Sequence, residues 1–406
     1  MVPLTLIVFL DMMSFTLMIP IIAPLLLNST TLLSYTTGLW MRTFLLGLLL
    51  ASYAIAQFFG APMLGALSDR FGRKKMLLLS LAGSLVSYLA FGLGIAYNHL
   101  WLLFFSRSLA GFLGGNISIT LSAIADVSDQ QEKARNFGWI GVAFGFGFII
   151  GPFIGGKLAD PTLVPWFTYA TPLWVASGLA TMTLILCAIF FKETLTTMRN
   201  TPVSALTGFR NIRKAFYLPN LRVMFIIVFL LTVGFNFFTQ FFQVYLIQKF
   251  SFNQSQIGDM FAYAGLWVAI SQGFFTRPLS HRFRPDQILR WFNLICDVAM
   301  ALLLVPESVA WLLIIIPFVL IAQGVIQPNA LAIVSNLSDK DSQGEVLGIN
   351  QSIQSLGMAI PPIIAGLVVS IQMALPMIVG SALTFLAAFI FILFYRQEKE
   401  KLFHEV

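Results

Sequence analysis

The chain has 406 residues, of which 58% are hydrophobic and only 10% are charged. Soluble domains carry about 25% charged residues, so this composition excludes an ordinary soluble protein and indicates a membrane protein. The formal net charge of +7 is explained by basic loops beside anionic lipid, and we expect a lipid bilayer and no nucleic acid among the partners.

Apolar runs of about 20 residues follow one another along the chain, the length that a helix needs to cross a hydrocarbon core of roughly 30 Å. Lipid offers no partner to backbone N–H and C=O groups, so such runs must form helices or a closed barrel. Barrel strands are shorter and alternate in polarity. The sequence therefore predicts an all-α membrane protein with twelve transmembrane helices, at 4–27, 43–68, 74–97, 99–124, 134–158, 167–191, 221–248, 256–278, 286–305, 308–335, 343–370 and 373–395.

Lys and Arg are distributed unevenly between the two sides of these spans. When alternate loops are assigned to one side, the loops of the other side hold only Arg42, Lys157 and Lys249. Cytoplasmic loops are enriched in Lys and Arg, so both termini and the central linker are predicted to face the cytoplasm. The compact loops and short tails favour a bacterial inner membrane.

The two halves of the chain look like a repeat. Pro152 and Gly156 recur at one common spacing as Pro362 and Gly366. Duplicated halves that enclose a site at the membrane midplane are typical of alternating-access transporters. We therefore predict two pseudo-symmetric six-helix bundles and a linker: an N-terminal bundle at 1–191, a cytoplasmic linker at 192–220, and a C-terminal bundle with a short cytoplasmic tail at 221–406.

A charged loop, Gly65-Ala-Leu-Ser-Asp-Arg-Phe-Gly-Arg-Lys-Lys75, joins the second and third predicted spans. The pattern G-x-L-x-D-R-x-G-R at this point of the chain resembles the signature loop of the major facilitator superfamily. Glycines there permit a tight turn and close backbone approach, and the resemblance implies a latch that stabilises the outward-open state. The alternative, a solvated loop that only sets topology, does not account for the acidic residue and the glycines. The candidate latch residues are Gly65, Asp69, Arg70, Gly72, Arg73 and Asp126.

The fifth predicted span carries Gly147, Gly151, Pro152, Gly155 and Gly156. Small residues let helices approach closely, and proline bends a helix. The pattern resembles the antiporter motif of proton-driven drug exporters. A tight helix–helix contact is the alternative interpretation, and it would hold equally in an importer.

Three ionisable residues stand out inside the predicted spans: Asp11, Arg107 and Asp297. Each costs several kcal/mol there unless it is paired or faces water. A carboxylate that alternates between a desolvated site and one near water or a cation can load and release a proton. We predict that the three serve proton coupling. The alternative is a fixed pair, or a water-lined residue that sets only specificity.

Uncharged polar residues inside the spans indicate a substrate cavity, although some such groups make interhelical hydrogen bonds instead. The candidates are Gln57, Asn116, Asn236, Gln240, Gln243, Gln323, Gln327 and Gln354.

Within the superfamily the chain resembles the twelve-span drug:proton antiporters, and most of all the tetracycline-resistance efflux group. Asp11 and Asp297 match acidic residues of those pumps, and Arg107 matches the arginine of their span-four motif, so the resemblance implicates all three in coupling. Two positions depart from the group. Ser87 stands where those pumps place Asp, and Val268 where they place His, so tetracycline is not the expected substrate.

These observations predict a monomeric secondary transporter that exports a small amphipathic or aromatic compound in exchange for protons. The proton gradient drives it, with no cofactor and no metal. A metabolite or siderophore permease is the main alternative, and a non-transporting receptor or scaffold is a remote one. An enzyme is not expected, because the spans hold no nucleophile–base pair and the loops are too short for a catalytic domain.

Overall fold

The computed structural model describes residues 2–127, 130–195, 204, 206–305, 307–338 and 343–395. These residues form α-helices, two π-helical segments and connecting turns, with no strand among them. By its contacts the chain divides into two compact units. The first unit comprises Met1–Thr207 and Ser251–Gly265, and the second comprises Gly208–Phe250 and Leu266–Val406. The predicted bundle boundaries stay a prediction.

The first unit contains eight helices and the beginning of a ninth. They are α1 (Val2–Thr16), α2 (Ile19–Asn28), α3 (Leu39–Phe71), α4 (Arg73–Ala96), α5 (Leu100–Leu113), α6 (Asn116–Val127), α7 (Gln130–Leu158), α8 (Thr171–Phe190) and the start of α11 (Gln254–Ile270).

The second unit begins with a short helix, α9 (Thr207–Phe216), which is followed by the long helices. They are α10 (Pro219–Phe250), the end of α11, α12 (Arg277–Arg282), α13 (Pro285–Leu302), α14 (Val309–Asn336), α15 (Gln343–Val368) and α16 (Leu375–Ile390). π-Helical segments at Ser271–Thr276 and Phe391–Tyr395 follow α11 and α16.

The first and fourth predicted spans are each built from two helices. α1 ends at Thr16, just before Pro20 enters the first turn of α2, because proline has no N–H to continue the ladder of hydrogen bonds. α5 ends before the pair Gly114-Gly115, since glycine is among the weakest helix formers. Both breaks place side chains that the site uses.

Ten helical segments of the described chain are long and apolar enough to cross a membrane. The predicted eighth and ninth spans are not among them. α11 and the π-helical segment after it carry Asp259 and several Gln and Ser residues, and α13 carries Asp286, Arg290 and Asp297 within its 18 residues. The all-helical membrane architecture is therefore confirmed, and the count of twelve stays a prediction.

The core of the first unit is an apolar cluster contributed by α1, α3, α4, α6, α7 and the end of α8. Ile7, Leu77, Ile119 and Cys187 are among its most buried members. Cys187 and Cys296 are both buried and not disulfide-bonded, and Cys187 acts here as a small apolar packing residue.

Candidate functional site

The candidate latch residues meet where α3 ends and α4 begins. Arg73 is buried at the start of α4. Its Nη1 lies 2.6 Å from Asp69 Oδ1, and its Nε lies 3.0 Å from Asp126 Oδ2 at the end of α6. Arg73 Nη1 also donates to Ser68 Oγ at 2.6 Å. One guanidinium thus joins three helices through charge-assisted hydrogen bonds, which are stronger than neutral ones.

The other candidate latch residues are arranged differently. Gly72 has φ +101°, a conformation that favours glycine, so the turn between α3 and α4 requires this residue. Gly65 has nothing within 4 Å of the place where a Cβ would stand, so close approach does not require glycine there. Arg70 is exposed, with its guanidinium carbon 5.4 Å from the centre of the Phe71 ring.

Sequence reasoning missed a fourth charged member of this cluster, Glu193, which follows α8. Its carboxylate accepts hydrogen bonds from the backbone N–H groups of Arg73 (2.9 Å) and Lys74 (3.1 Å). It therefore caps the N-terminus of α4, where backbone donors lack partners within the helix. A Cβ at Gly72 would collide with this carboxylate. An acidic residue directly after a span, on the same side as the charged loop, was the available signal.

The electrostatics of Glu193 follow from these contacts. Burial alone would raise the pKa of Glu193, but backbone N–H groups of Leu195, Lys74, Arg73 and Thr194 donate to its carboxylate and hold its pKa below the usual range. Hydrogen bonds to the charged form favour that form. The cap is therefore fully charged at neutral pH.

Glu193→Gln is expected to lower the thermal unfolding temperature at neutral pH by about 2 °C, because loss of a helix cap costs about 1 kcal/mol. The pKa is lower in the folded state, so the stabilisation is present above the unfolded value of about 4.3 and is lost as pH falls through the folded value. Thermal unfolding of purified protein from pH 7 to about pH 3 measures this. Glu307→Gln, at an exposed glutamate, is the control. A wild-type advantage that is as large at the acid end of this range as at pH 7 would show that the carboxylate charge is not responsible.

A second cluster lies inside the first unit, around Asp11 and Arg107. Asp11 is buried in α1, and Asn116 donates its side-chain amide to the Asp11 carboxylate. Asn116 is the first residue of α6, so the break at Gly114-Gly115 gives this side chain its position. The cluster links the first predicted span to the fourth.

Arg107 is 5% exposed, and its charge has little compensation. Nη1 donates to Met18 Sδ at 3.0 Å, the guanidinium carbon lies 4.6 Å from the centre of the Tyr53 ring, and Nε has no hydrogen-bond partner among the described residues. A Cβ at Gly111 would collide with the Tyr53 carbonyl oxygen, so the close crossing of α5 over α3 brings Arg107 onto Tyr53. Gln57 donates to the Tyr53 hydroxyl at 3.4 Å.

Asp297 lies in the second unit and is 4% exposed. Neither carboxylate oxygen accepts a hydrogen bond of ordinary geometry from the described residues. The hydroxyl of the neighbouring Thr384 lies instead 3.2 Å from the Gly380 carbonyl oxygen and 3.0 Å from that of Ser381. A charged carboxylate buried in this way carries a large desolvation cost.

The second unit holds further buried oxygens without hydrogen-bond partners in the described part of the chain. They belong to Gln243, Asn293 and Asn350. Asn293 precedes Asp297 by one helical turn of α13, so both side chains lie on one helix face. Buried polar groups usually have partners, and acceptors left without them favour a protonated or otherwise hydrogen-bond-donating ligand.

The predicted cavity residues are distributed over both units. Asn236 donates its amide to the Thr232 carbonyl oxygen of its own helix at 2.8 Å, so part of its hydrogen-bonding capacity is used locally. Gln243 and Gln323 are buried, and the half-buried residues are Gln57, Asn116, Asn236, Gln240, Gln327 and Gln354. Their contact with a substrate stays a prediction.

The glycines of the candidate antiporter motif pack against two helices. Cβ atoms at Gly147 and Gly151 would collide with Met12 and Thr16 of α1, and one at Gly155 would collide with the carbonyl oxygen of Leu17, directly after α1. Thr16 Oγ1 also lies 2.9 Å from the Gly147 carbonyl oxygen. The motif therefore builds a tight crossing of α7 over α1, stabilised by close backbone packing.

The other face of the same motif contacts the beginning of α11. A Cβ at Gly258 would collide with the Pro152 carbonyl oxygen, and the Gly156 Cα stands 3.0 Å from the same Cβ position. Next to this crossing, Lys157 Nζ lies 2.8 Å from Asp259 Oδ2 and 2.8 Å from Ser255 Oγ. Sequence reasoning did not foresee this ion pair.

An apolar groove of about 440 Å³ runs between α1 and α7 in the first unit. Phe9, Trp139 and Phe146 give it aromatic walls, and Thr5 adds a hydroxyl. Ligand sites are usually apolar and aromatic with few polar groups. Sequence reasoning missed this groove because helical periodicity alone does not distinguish a ligand-facing aromatic from one in the core.

At Ser87 the structure shows a packing role. Ser87 Oγ lies 3.0 Å from the Ser106 carbonyl oxygen, and Ser106 Oγ donates to the Ser87 carbonyl oxygen at 2.8 Å. This reciprocal pair joins α4 to α5 with hydrogen bonds of the kind common between membrane helices. Among the described residues, no group of three or more His, Cys, Asp or Glu is placed to hold a metal ion.

Comparison with known proteins identifies the family of this chain. The profile of the Major Facilitator Superfamily matches residues 4–360 and 224–404. The class G tetracycline resistance protein of Vibrio anguillarum is 31% identical over 360 residues, which cover 88% of this chain and 87% of that protein. Multidrug resistance protein 2 of Bacillus subtilis is 28% identical over 355 residues, which cover 84% of this chain and 85% of that protein.

A solved structure shows the same fold. The crystal structure of a D-xylose–proton symporter superposes with a TM-score of 0.78 at 16% identity, covering 97% of each chain. The predicted resemblance to drug-efflux transporters and the predicted fold class are thus confirmed, and a transporter, not an enzyme, is the outcome. With its apolar helices and its match to the family profile over most of its length, this chain is an integral membrane protein that belongs to the Major Facilitator Superfamily.

Proposed function

We propose that this transporter exports a small amphipathic or aromatic compound in exchange for protons by alternating access. The observation that carries the proposal is the buried carboxylate of Asp297, which accepts no hydrogen bond of ordinary geometry from the described residues. Charge on such a group costs several kcal/mol, and binding a proton removes the charge. If water reaches the carboxylate from only one side of the membrane at a time, this cost couples proton binding and release to the change of access.

Asp11 and Arg107 support the same mechanism from the first unit. Asp11 is stabilised by the Asn116 amide and pairs with no cation among the described residues, so its proton occupancy can change as the surroundings change. Arg107 supplies a buried positive charge that biases nearby carboxylates or receives an anionic group. The ion pairs of Arg73 with Asp69 and Asp126 are the contacts that we propose to break and re-form as the bundles move.

The substrate class rests on two supports. Relatives of this chain are named for resistance to tetracycline and to multiple drugs, and the aromatic groove between α1 and α7 suits an apolar ring. Ser87 is engaged in helix packing, so we do not propose tetracycline itself. In such a mechanism the proton gradient is the energy source and no cofactor takes part. We place the monomeric protein in a bacterial inner membrane with both termini in the cytoplasm.

A metabolite permease is the second candidate. The glycines of the antiporter motif pack closely against α1, the residue after it, or α11. Such packing explains why glycine stands there, and it serves an importer equally well. The direction of flux decides between the two functions.

The test is proton release from acidified everted vesicles, followed with a pH-gradient dye. Lipophilic cations, tetracycline–magnesium and aromatic metabolites are added to vesicles with and without the protein. We expect at least one amphipathic compound to dissipate the gradient only when the protein is present. No response to any compound, from protein shown to be inserted and folded, would contradict proton-coupled export within that panel.

A further inference from the structure

A cavity in the second unit has the features of a lipid site. It measures about 130 Å³ and lies between α9, α10 and α15. Its walls include Phe225, Ile226 and Ile353, and Arg222 is its one charged lining residue. A single cation beside an otherwise apolar cavity fits a ligand with an anionic head and a hydrocarbon tail.

The cavity lies at the end of α10 where the membrane-spanning segment begins. The apolar segment of this helix that can cross the membrane begins at Leu221, so Arg222 stands where hydrocarbon gives way to headgroups. Arg222 and Ile226 are both exposed, and they are four residues apart on one helix face. A molecule in the cavity would therefore have its head at Arg222 and its tail along α10 toward the membrane interior.

The short helix α9 continues the same surface. Its buried residues are Gly208 and Ala215, while Phe209 and Phe216 are 52% and 60% exposed. Arg210 and Arg213 are exposed on the adjoining face. A helix with exposed aromatic rings on one side and basic residues on the next is typical of the membrane interface, where it contacts anionic lipid.

Asn211 holds α9 against α15. Its side-chain amide donates to Ser352 Oγ at 3.1 Å and to the Gly348 carbonyl oxygen at 3.4 Å. Only Tyr217 and Leu218 separate α9 from α10. The basic helix and the cavity are thus parts of one packed arrangement.

We propose that the cavity between α9, α10 and α15 binds an anionic phospholipid, with the phosphate at Arg222 and an acyl chain against Phe225, Ile226 and Ile353. The basic face of α9 lies over the neighbouring headgroups. Phosphate carries the charge that Arg222 complements, and the acyl chain replaces water in the apolar part of the cavity. The headgroup of a zwitterionic lipid fits less well, because its positive group would stand among the arginines.

Native mass spectrometry of the full chain in detergent tests the proposal. Phosphatidylglycerol and phosphatidylcholine with identical acyl chains are titrated separately. We expect phosphatidylglycerol to be retained at a several-fold lower concentration than phosphatidylcholine. Arg222→Gln should raise the half-saturating concentration of phosphatidylglycerol about fivefold, the factor that corresponds to one basic residue at an anionic surface.

Two further variants separate the head from the tail. Ile226→Trp fills the cavity without changing the charge and should also weaken phosphatidylglycerol binding severalfold. Arg290→Gln removes an exposed arginine beside Trp291 on α13 and should leave phosphatidylglycerol binding unchanged. Equal retention of the two lipids by the wild type, or unchanged retention in both Arg222→Gln and Ile226→Trp, would overturn the proposal. Displacement of the lipid by millimolar glycerol phosphate would overturn it too, because the site would then be one for a soluble anion.

Discussion

Replacement of Gly155 by valine is expected to remove most of the folded transporter from the membrane. A Cβ at this position would overlap the backbone carbonyl of Leu17. Backbone atoms cannot rotate away as a side chain does, so α7 would have to separate from α1 along the crossing that Gly147 and Gly151 also form. Overpacking of an already tight contact typically costs about 1–3 kcal/mol, and more where backbone must move.

Gly141→Val on the same helix is the matched control, because nothing lies within 4 Å of the place where its Cβ would stand. Both variants introduce the same β-branched residue into α7, so the helix-propensity cost is the same in both. Size-exclusion chromatography of a fluorescent fusion gives the yield of folded protein, and thermal unfolding gives its stability. If Gly155→Val and Gly141→Val gave equal monodisperse yield and equal unfolding temperatures, the α1–α7 crossing would not be as close as described here.

Hydropathy predicted the regions that become helices, but it could not predict where two of them break. Runs 4–27 and 99–124 are apolar over most of their length, and average hydropathy does not register the loss of one hydrogen-bonded turn. The break before Pro20 and the break at Gly114-Gly115 follow from backbone chemistry. The second break gives Asn116 its position beside Asp11, so a site contact depends on a feature that hydropathy cannot show.

The charged loop motif predicts the local part of the ion-pair cluster but not its distant member. Asp69 and Arg73 are four residues apart, a spacing at which ion pairs form along a helical path, and the structure pairs them. Glu193 joins the same cluster from a position 120 residues later in the chain. Only the packing of α8 beside α4 creates that contact. The Lys157–Asp259 pair likewise depends on the approach of α11 to α7.

The two glycines of the same motif differ in whether the structure requires glycine. Gly72 has a positive φ and stands against the Glu193 carboxylate, so the turn requires glycine. Gly65 matches the family pattern equally well, yet nothing lies within 4 Å of the place where its Cβ would stand. The packing of the first unit therefore does not explain why residue 65 is a glycine.

Asp297→Asn is expected to abolish uphill, proton-driven transport while the protein stays folded. Asparagine has nearly the same shape as aspartate but cannot take up or release a proton. Because the Asp297 carboxylate is buried and accepts no ordinary hydrogen bond from the described residues, the neutral amide should be tolerated there at little cost in stability. Substrate-induced proton release in everted vesicles should fall at least about tenfold, which corresponds to 1.4 kcal/mol or more.

The control is a second aspartate on the same helix. Asp286 lies in the first turn of α13 and pairs with Arg284 at 3.2 Å, so Asp286→Asn makes the same chemical change outside the buried region. We expect Asp286→Asn to keep proton release near the wild-type level. We also expect Asp297→Asn to retain exchange of labelled for unlabelled substrate, since that reaction needs alternating access but no net proton movement. Loss of both exchange and proton release in Asp297→Asn would place Asp297 in substrate binding. Wild-type proton release in the same variant would remove it from coupling and leave Asp11 as the buried carboxylate that carries the proton.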